Sequence, residues 1–426
     1  MQSSNRLMTS AGVSRLPLQE VAAALRKITE VLASELAAPT ETAPDWSDFE
    51  WCLAQAVAAM HGVSPLLSNV LRWRGPENWE GFLHEQRRHT LERHQRLAQL
   101  LADIGSQAHR EGIPIVPLKG AALHEIGIYK PGERPMSDID LLVKSADMEA
   151  TARLLGAFGY YRSFATWKHG VFETDATRGP VGFAEHSSNP IKIELHSRVA
   201  ERLPVVDRDV SELVFPRQPL AGLNSYPSIT SLMIHLLLHA AADMCLNDLR
   251  LLHLHDIALL ARHMTGSDWE GVFEAASGRK PWWVAPPLAL AARYYSSAIP
   301  DHIAARTELD CPWLLSQSCR RQTLSDVSLS NLWIEAFPGV KWSNSAIEAL
   351  RYVIGRVIPN EEVLAGRKQL ARNYPGAAQS PWSRLSQTQR IVRWLFSRRP
   401  RTDTLSSVRA ALAQMSRHPS QLNQYS

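Results

Sequence analysis

The segment Arg134-Pro135-Met136-Ser137-Asp138-Ile139-Asp140-Leu141-Leu142-Val143 constrains this chain more than any other. Its apolar second half reads as a buried strand, and on a strand successive side chains point to opposite faces. Asp138 and Asp140 therefore share one face, while Ile139 and Leu141 turn to a core. Two neighbouring carboxylates repel each other and are costly to keep ionised. A divalent cation removes that cost, and hard oxygen ligands of this kind suit Mg²⁺. The plainer alternative is a strand end with two solvated acids, or with one acid paired to Arg134. An isolated Asp-x-Asp does not separate the two.

The surroundings narrow the choice. Ile113-Pro114-Ile115-Val116-Pro117-Leu118 is a short, β-rich apolar run, Lys119-Gly120 follows it, and Ala121 to Ile126 reads as a helix. A strand that runs into a helix-opening glycine leaves backbone N–H groups free at the helix start, where a phosphate can bind. Gly120 would let the phosphate approach the backbone, and Lys119 would add a point charge. A plain turn is the competing reading of Lys119-Gly120. Downstream, Ile191-Lys192-Ile193-Glu194-Leu195-His196 alternates like another strand. Glu194 and His196 share its polar face, so Glu194 can supply a third carboxylate.

Together, Leu118-Lys119-Gly120, Arg134-x-x-x-Asp138-Ile139-Asp140-Leu141-Leu142-Val143 and Ile193-Glu194-Leu195-His196 resemble the nucleotidyltransferase superfamily of DNA polymerase beta. Within it they are similar to the bacterial group of uncharacterised nucleotidyltransferases. The resemblance covers about Ile113 to Val199, with weaker support after Ser228. It implies an α+β fold, a small mixed-sheet nucleotidyltransferase core with helical N-terminal and C-terminal regions. By position it makes Asp138 and Asp140 metal ligands, Glu194 the third carboxylate and Gly120 the phosphate-loop glycine. Lys119 and Arg134 would lie beside the nucleotide. For Arg134, a bidentate phosphate contact and a structural salt bridge to Asp138 or Asp140 stand side by side.

The implied cofactor is a pair of Mg²⁺ ions about 4 Å apart, clamping an in-line phosphoryl displacement. The implied substrate is an NTP, with ATP the first choice. Glu194 would bind the catalytic ion and lower the pKa of the acceptor hydroxyl, with His196 as the other candidate base. The acceptor, whether hydroxyl or phosphate, on a small molecule, peptide, protein or RNA, is not selected by these motifs. One departure stands out: Ala121 occupies the place where many members carry serine, which removes a hydroxyl contact to phosphate. That substitution motivates the rival reading, an inactive nucleotidyltransferase-like binding protein acting in a modification or biosynthetic gene cluster.

The 426 residues allow two or three domains. The pattern divides them into a helical region over 1–105, the α/β core over 106–226, a helical domain over 227–380 and a basic tail over 381–426. No apolar run approaches the roughly 20 residues of a membrane span, and Met1 to Leu16 lacks a signal-peptide core. Four scattered cysteines suggest neither a zinc site nor a disulfide framework, so a reducing cytoplasm is the expected compartment. A net charge of +4 over this length does not argue for nucleic-acid binding.

Other features carry expectations of their own. Trp167, His169 and His186 fall in a stretch of strands and mobile loop, where the histidines are expected to be exposed. Ser228 caps a helix carrying His235 and His239 on one face. With His253, His255 and Asp256 nearby a metal site is conceivable there, but the His-Glu-x-x-His form is absent, since Leu236 follows His235. The preferred expectation is that His239 and Asp256 are buried partners tying two helices together. Trp282, Trp283, Trp313, Trp333 and Trp342 read as packing residues. From Arg384 to Arg417 the chain holds eight arginines against one acid, Asp403. That tail is either a contact surface for an acidic partner or a basic surface helix with a disordered end.

Overall fold

Helix α4 (Glu77–Arg110) links the two halves of the molecule. In the computed structural model, residues 17–175, 183–275, 281–308, 311–358, 361, 364 and 385–416 are described. Acidic Glu77 and Glu80 in the first turn of α4 and basic His109 and Arg110 in the last complement its dipole. Buried positions recur at three- and four-residue spacing. Trp79, Phe82 and Leu83 enter a large helical core, whereas Leu97, Ile104 and Ala108 enter a second core beneath the sheet. The boundary expected at residue 105 falls inside this helix.

The mixed sheet comprises β1 (Pro114–Pro117), β2 (Asp138–Leu142), β3 (Tyr161–Ala165), β4 (His169–Glu173), β5 (Lys192–His196) and β8 (Gly222–Leu223), in the order β3-β4-β5-β2-β1-β8. β2 runs parallel to β5 and antiparallel to β1, and β4 runs antiparallel to β5. Ile139, Leu141, Ile193 and Leu195 point into the second core with Leu154 and Leu155 of α6 (Met148–Ala157). The opposite face carries Val116 and Leu142 into the helical core and leaves the polar residues of β2 and β5 lining a cleft. A two-stranded ribbon, β6 (Ala200–Arg202) with β7 (Asp207–Asp209), follows β5.

Around this face stand α1 (Leu18–Ala37), α2 (Asp48–Met60), α8 (Ile229–Leu246), α9 (Leu251–Ala261) and α11 (Ala285–Tyr294), sharing one core with the N-terminal half of α4. Ser228 caps α8 by accepting from the Ser231 N–H, and Asn247 ends it in the left-handed conformation. By length and composition α8 could cross a membrane, but it is largely buried among its neighbours. The expectation that no apolar run approaches a membrane span overlooks this helix, whose apolar character its burial explains. Trp282, Trp283 and Trp342 pack in the core as expected, while Trp313 is exposed.

The C-terminal segment differs from expectation. Residues 365–384 lie outside the described residues, but Gln387–Phe396 and Thr402–Ser416 are both helical. The second of these packs on α2 with Val408, Ala411 and Thr404 fully buried. Arg401 holds its start, donating to the Asn247 carbonyl at 2.7 Å and pairing with Asp248. An arginine-rich composition concealed a core helix, because the apolar positions in it are few and spaced on one face.

Candidate active site

Strand register builds the site. Parallel pairing of β2 with β5 sets Asp138 beside Lys192, Asp140 beside Glu194 and Leu142 beside His196. Antiparallel β4 adds His169 opposite His196. Cross-strand neighbours lie on the same face, so Asp138, Asp140, Glu194, His196 and His169 all line the cleft. Asp140 is buried rather than solvated.

The hydrogen bonds converge on one atom. Asp140 Oδ1 accepts from Lys119 Nζ at 2.9 Å and from His196 Nε2 at 3.0 Å. Glu194 Oε2 lies 3.5 Å from His196 Nε2 and 3.7 Å from His169 Nε2, and the two imidazoles are 4.7 Å apart. Burial alone would raise the Asp140 carboxyl, but the Lys119 ammonium and the His196 hydrogen bond outweigh it and hold the group well below the usual carboxylate range. Burial works against the His196 imidazolium, yet Asp140 and Glu194 prevail and raise its pKa. His169 goes the other way: burial pushes it down to about 4, leaving it neutral. His169 is thus a strand residue facing Glu194, not an exposed loop histidine. His186 is half-buried with its ring 4.3 Å from His89.

Asp138 is the uncompensated member. Burial, then Asp140 and Glu194, push its carboxyl up to about 6, against partial relief from Lys119 and Arg250. An acid raised on folding destabilises the native state above its folded pKa, and the penalty disappears as pH falls from about 6 toward the ordinary carboxylate range near 4. In metal-free protein, Asp138→Asn is therefore expected to raise Tm at pH 7, on the order of 2 °C, and to do little at pH 4. Thermal melts at the two pH values in chelator check this; a loss of stability at pH 7 contradicts the repulsion described here.

In the loop after β1, Lys119 and Gly120 make contacts that the phosphate-loop expectation does not include. Lys119 adopts φ 50°, a left-handed conformation uncommon for a side-chain-bearing residue, and its side chain turns back to Asp140. The helix it opens, α5 (Gly120–Glu125), is short, and two of the amides at its start have partners. The Lys119 N–H donates to Tyr226 Oη at 3.4 Å, and the Ala121 N–H to the Leu118 carbonyl at 3.2 Å. Tyr226 Oη in turn meets His235 Nδ1 at 2.7 Å. Gly120 is buried, and a Cβ there would overlap Arg134 Nη1 and come within 3.0 Å of Met136 Sδ. The close approach that requires glycine is thus the Arg134 guanidinium.

Arg134 itself is buried and held by neither aspartate of β2. Its Nε and Nη2 donate to the two oxygens of Asp256 at 2.9 and 2.7 Å, and Tyr129 Oη donates to the same carboxylate at 2.7 Å. This replaces the expected partners of both Arg134 and Asp256. His239 lies instead 3.6 Å from Asp243, on its own helix. The exposed cation near the acids is Arg250, at the start of α9, whose charge acts on both Asp138 and Glu185. Sequence reasoning passed over Arg250, Lys168 and Glu201, none of which sits in a recognisable pattern.

The family model described as "Uncharacterised nucleotidyltransferase" matches residues 47–296, more than half of the chain. No curated protein and no solved structure matches it. The matched span takes in α2, α4, the whole sheet and the helices α8 and α9 that face it, so it includes the strands that carry Asp138, Asp140 and Glu194 on one face. The chain belongs to the uncharacterised nucleotidyltransferase family.

Proposed function

We propose that the protein transfers a nucleotidyl group from an NTP, ATP being the first choice, to an acceptor hydroxyl or phosphate, in the manner of the DNA polymerase beta-like superfamily. Family membership supports nucleotidyl transfer in general. The observation that carries the finer reading is the register that sets Asp140 beside Glu194 with Asp138 two residues away on the same face.

The donor set fits Mg²⁺. Three carboxylates share one face of the cleft, where two cations, Lys119 and His196, both serve a single oxygen, Asp140 Oδ1. Asp138 is left with unrelieved repulsion that a divalent ion would remove. Asp138, Asp140 and Glu194 would hold the metal, which when bound supplies charge neutralisation to the transferring phosphoryl group. The side chains then divide the remaining work. Lys119 keeps Asp140 ionised. His196 carries a proton between Asp140 and Glu194 and orients both. Burial works to raise the Glu194 carboxyl, but the His196 hydrogen bond, with help from the Lys119 charge, lowers its pKa, so it stays ionised as the acceptor of the nucleophile's proton. Arg250 takes the phosphate-facing role that Arg134, committed to Asp256, does not supply.

Incubation with Mg²⁺ and NTP labelled at the α-phosphate tests the transfer: label must appear in an acceptor. Label that never leaves the nucleotide pool with any acceptor class tried, while MgATP still raises Tm, would favour the nucleotide-binding alternative. Within an active protein, Glu194→Gln is expected to lower the transfer rate by about 10²–10⁴-fold and leave MgATP affinity within a few-fold. Rates under saturating nucleotide and a separate binding titration check it. A silent Glu194→Gln beside an inactive His196→Ala would move the base to histidine.

A further inference from the structure

Across the cleft from the carboxylates the helical wall carries a second constellation. His239 and Asp243 lie one turn apart on α8, and α9 brings His253 to them. His239 Nε2 is 3.6 Å from Asp243 Oδ2, and His253 Nδ1 is 2.9 Å from the same oxygen. One donor atom from each of the three falls within 4.8 Å of the others. A tetrahedral ion with bonds of about 2.0–2.1 Å spaces its ligand atoms roughly 3.3 Å apart, so the observed separations bracket that spacing.

Two further observations point to a ligand rather than to a hydrogen-bonded cluster. The buried Nδ1 of His253, 2.9 Å from Asp243 Oδ2, interacts with that oxygen but meets it off the ideal hydrogen-bond axis. Two donors aimed at a common point, rather than at each other, leave that signature. Behind His239 stands Glu201 of β6, its Oε1 3.9 Å from Nδ1, the ring nitrogen away from Asp243. Lys168 Nζ anchors Glu201 at 2.5 Å. At that distance the carboxylate favours a proton on Nδ1 through its charge, which leaves the other nitrogen for a metal.

We propose that His239, Asp243 and His253 form a transition-metal site of the zinc class, with Glu201 as the outer partner of His239 and a fourth position for water or an oxygen of a bound molecule. Two imidazoles and one carboxylate select Zn²⁺ or its neighbours over Mg²⁺; His169, Glu194 and His196 present the same donor set on β4 and β5, so the test must tell the two clusters apart. Three protein ligands, each half-buried, leave the open position typical of reactive rather than purely structural zinc. The site does not depend on nucleotidyl transfer, and its test reads metal alone.

The full chain, stripped of metal, is titrated with Zn²⁺ by calorimetry and with Co²⁺ by visible absorption. One equivalent is expected, with the intense visible bands of four-coordinate Co²⁺. Asp243→Asn, which keeps shape, and His253→Ala should each abolish that equivalent, Glu201→Gln should weaken it by about 10–100-fold, and His169→Ala should leave it intact. Thermal melts show which variants are folded, and Asp243→Asn with His239→Gln decides the matter if His253→Ala does not fold. The proposal is overturned if the unmodified chain takes up no Zn²⁺, if folded Asp243→Asn and His239→Gln proteins bind as it does, or if the equivalent disappears with His169→Ala instead.

Discussion

Asp140→Asn is expected to reduce nucleotidyl transfer by at least about 10³-fold, the scale of losing several kcal/mol of charge stabilisation in a metal-assisted displacement. It is also expected to destabilise the fold, which sets it apart from Asp138→Asn. Asp140 Oδ1 receives both Lys119 and His196. Neutralising it strands a half-buried ammonium and a buried, raised imidazolium with less counter-charge, a change costing about 2–4 kcal/mol. Asp138 has no such obligations, and its neutralisation relieves repulsion. Chemical denaturation and single-turnover assays on the two variants thus yield one shared loss, of transfer, and opposite shifts in stability. Full transfer in the Asp140→Asn protein would refute the catalytic assignment, whereas equal destabilisation by both would refute the electrostatic account of the cluster.

The largest effect on stability alone is expected at Arg134. Its bidentate pair with Asp256 is almost wholly buried. Arg134→Ala leaves Asp256 with only Tyr129, and breaking such a pair costs about 3–5 kcal/mol. In a chain of this size that is a fall in Tm on the order of 5 °C. Gly120→Ala should reproduce much of the loss, because its methyl group would drive the guanidinium off Asp256. A double-mutant cycle is informative: once Arg134 is alanine, the Asp256→Ala change should cost far less than it does alone. If Arg134→Ala instead weakens NTP binding with stability unchanged, the arginine is a phosphate ligand as the sequence first suggested.

Which parts of the site could be read ahead of the structure follows from the distance over which each is encoded. Asp138 and Asp140 share a face because strand periodicity is two, a property contained in five residues. Glu194 and His196 share a face for the same reason. That these two faces are one face depends on β2 pairing parallel to β5 across a long intervening segment, which alternation does not record. In sequence Arg134 stands between a phosphate contact and the acids a few residues away, but its partner lies 122 positions on, in a helix of the opposite wall. Lys119-Gly120 was read as a phosphate loop because strand–glycine–helix is a local pattern. The demand on Gly120 comes from Arg134, which is local in space only. His169 gave no signal: one histidine among polar residues reads as loop until antiparallel pairing sets it opposite His196.

The helix Thr402–Ser416 lies on α2, so the helical core is closed by two segments from opposite ends of the sequence. The core beneath the sheet needs nothing beyond Leu195. At typical synthesis rates the ribosome takes about 10–40 s to pass from that residue to Thr402. During that interval the sheet core has all its members, while the surface of α2 that receives Val408 and Ala411 has no cover. The growing chain therefore presents a sticky helical face for tens of seconds, making translation speed and chaperone supply the expected determinants of its yield in a recombinant host.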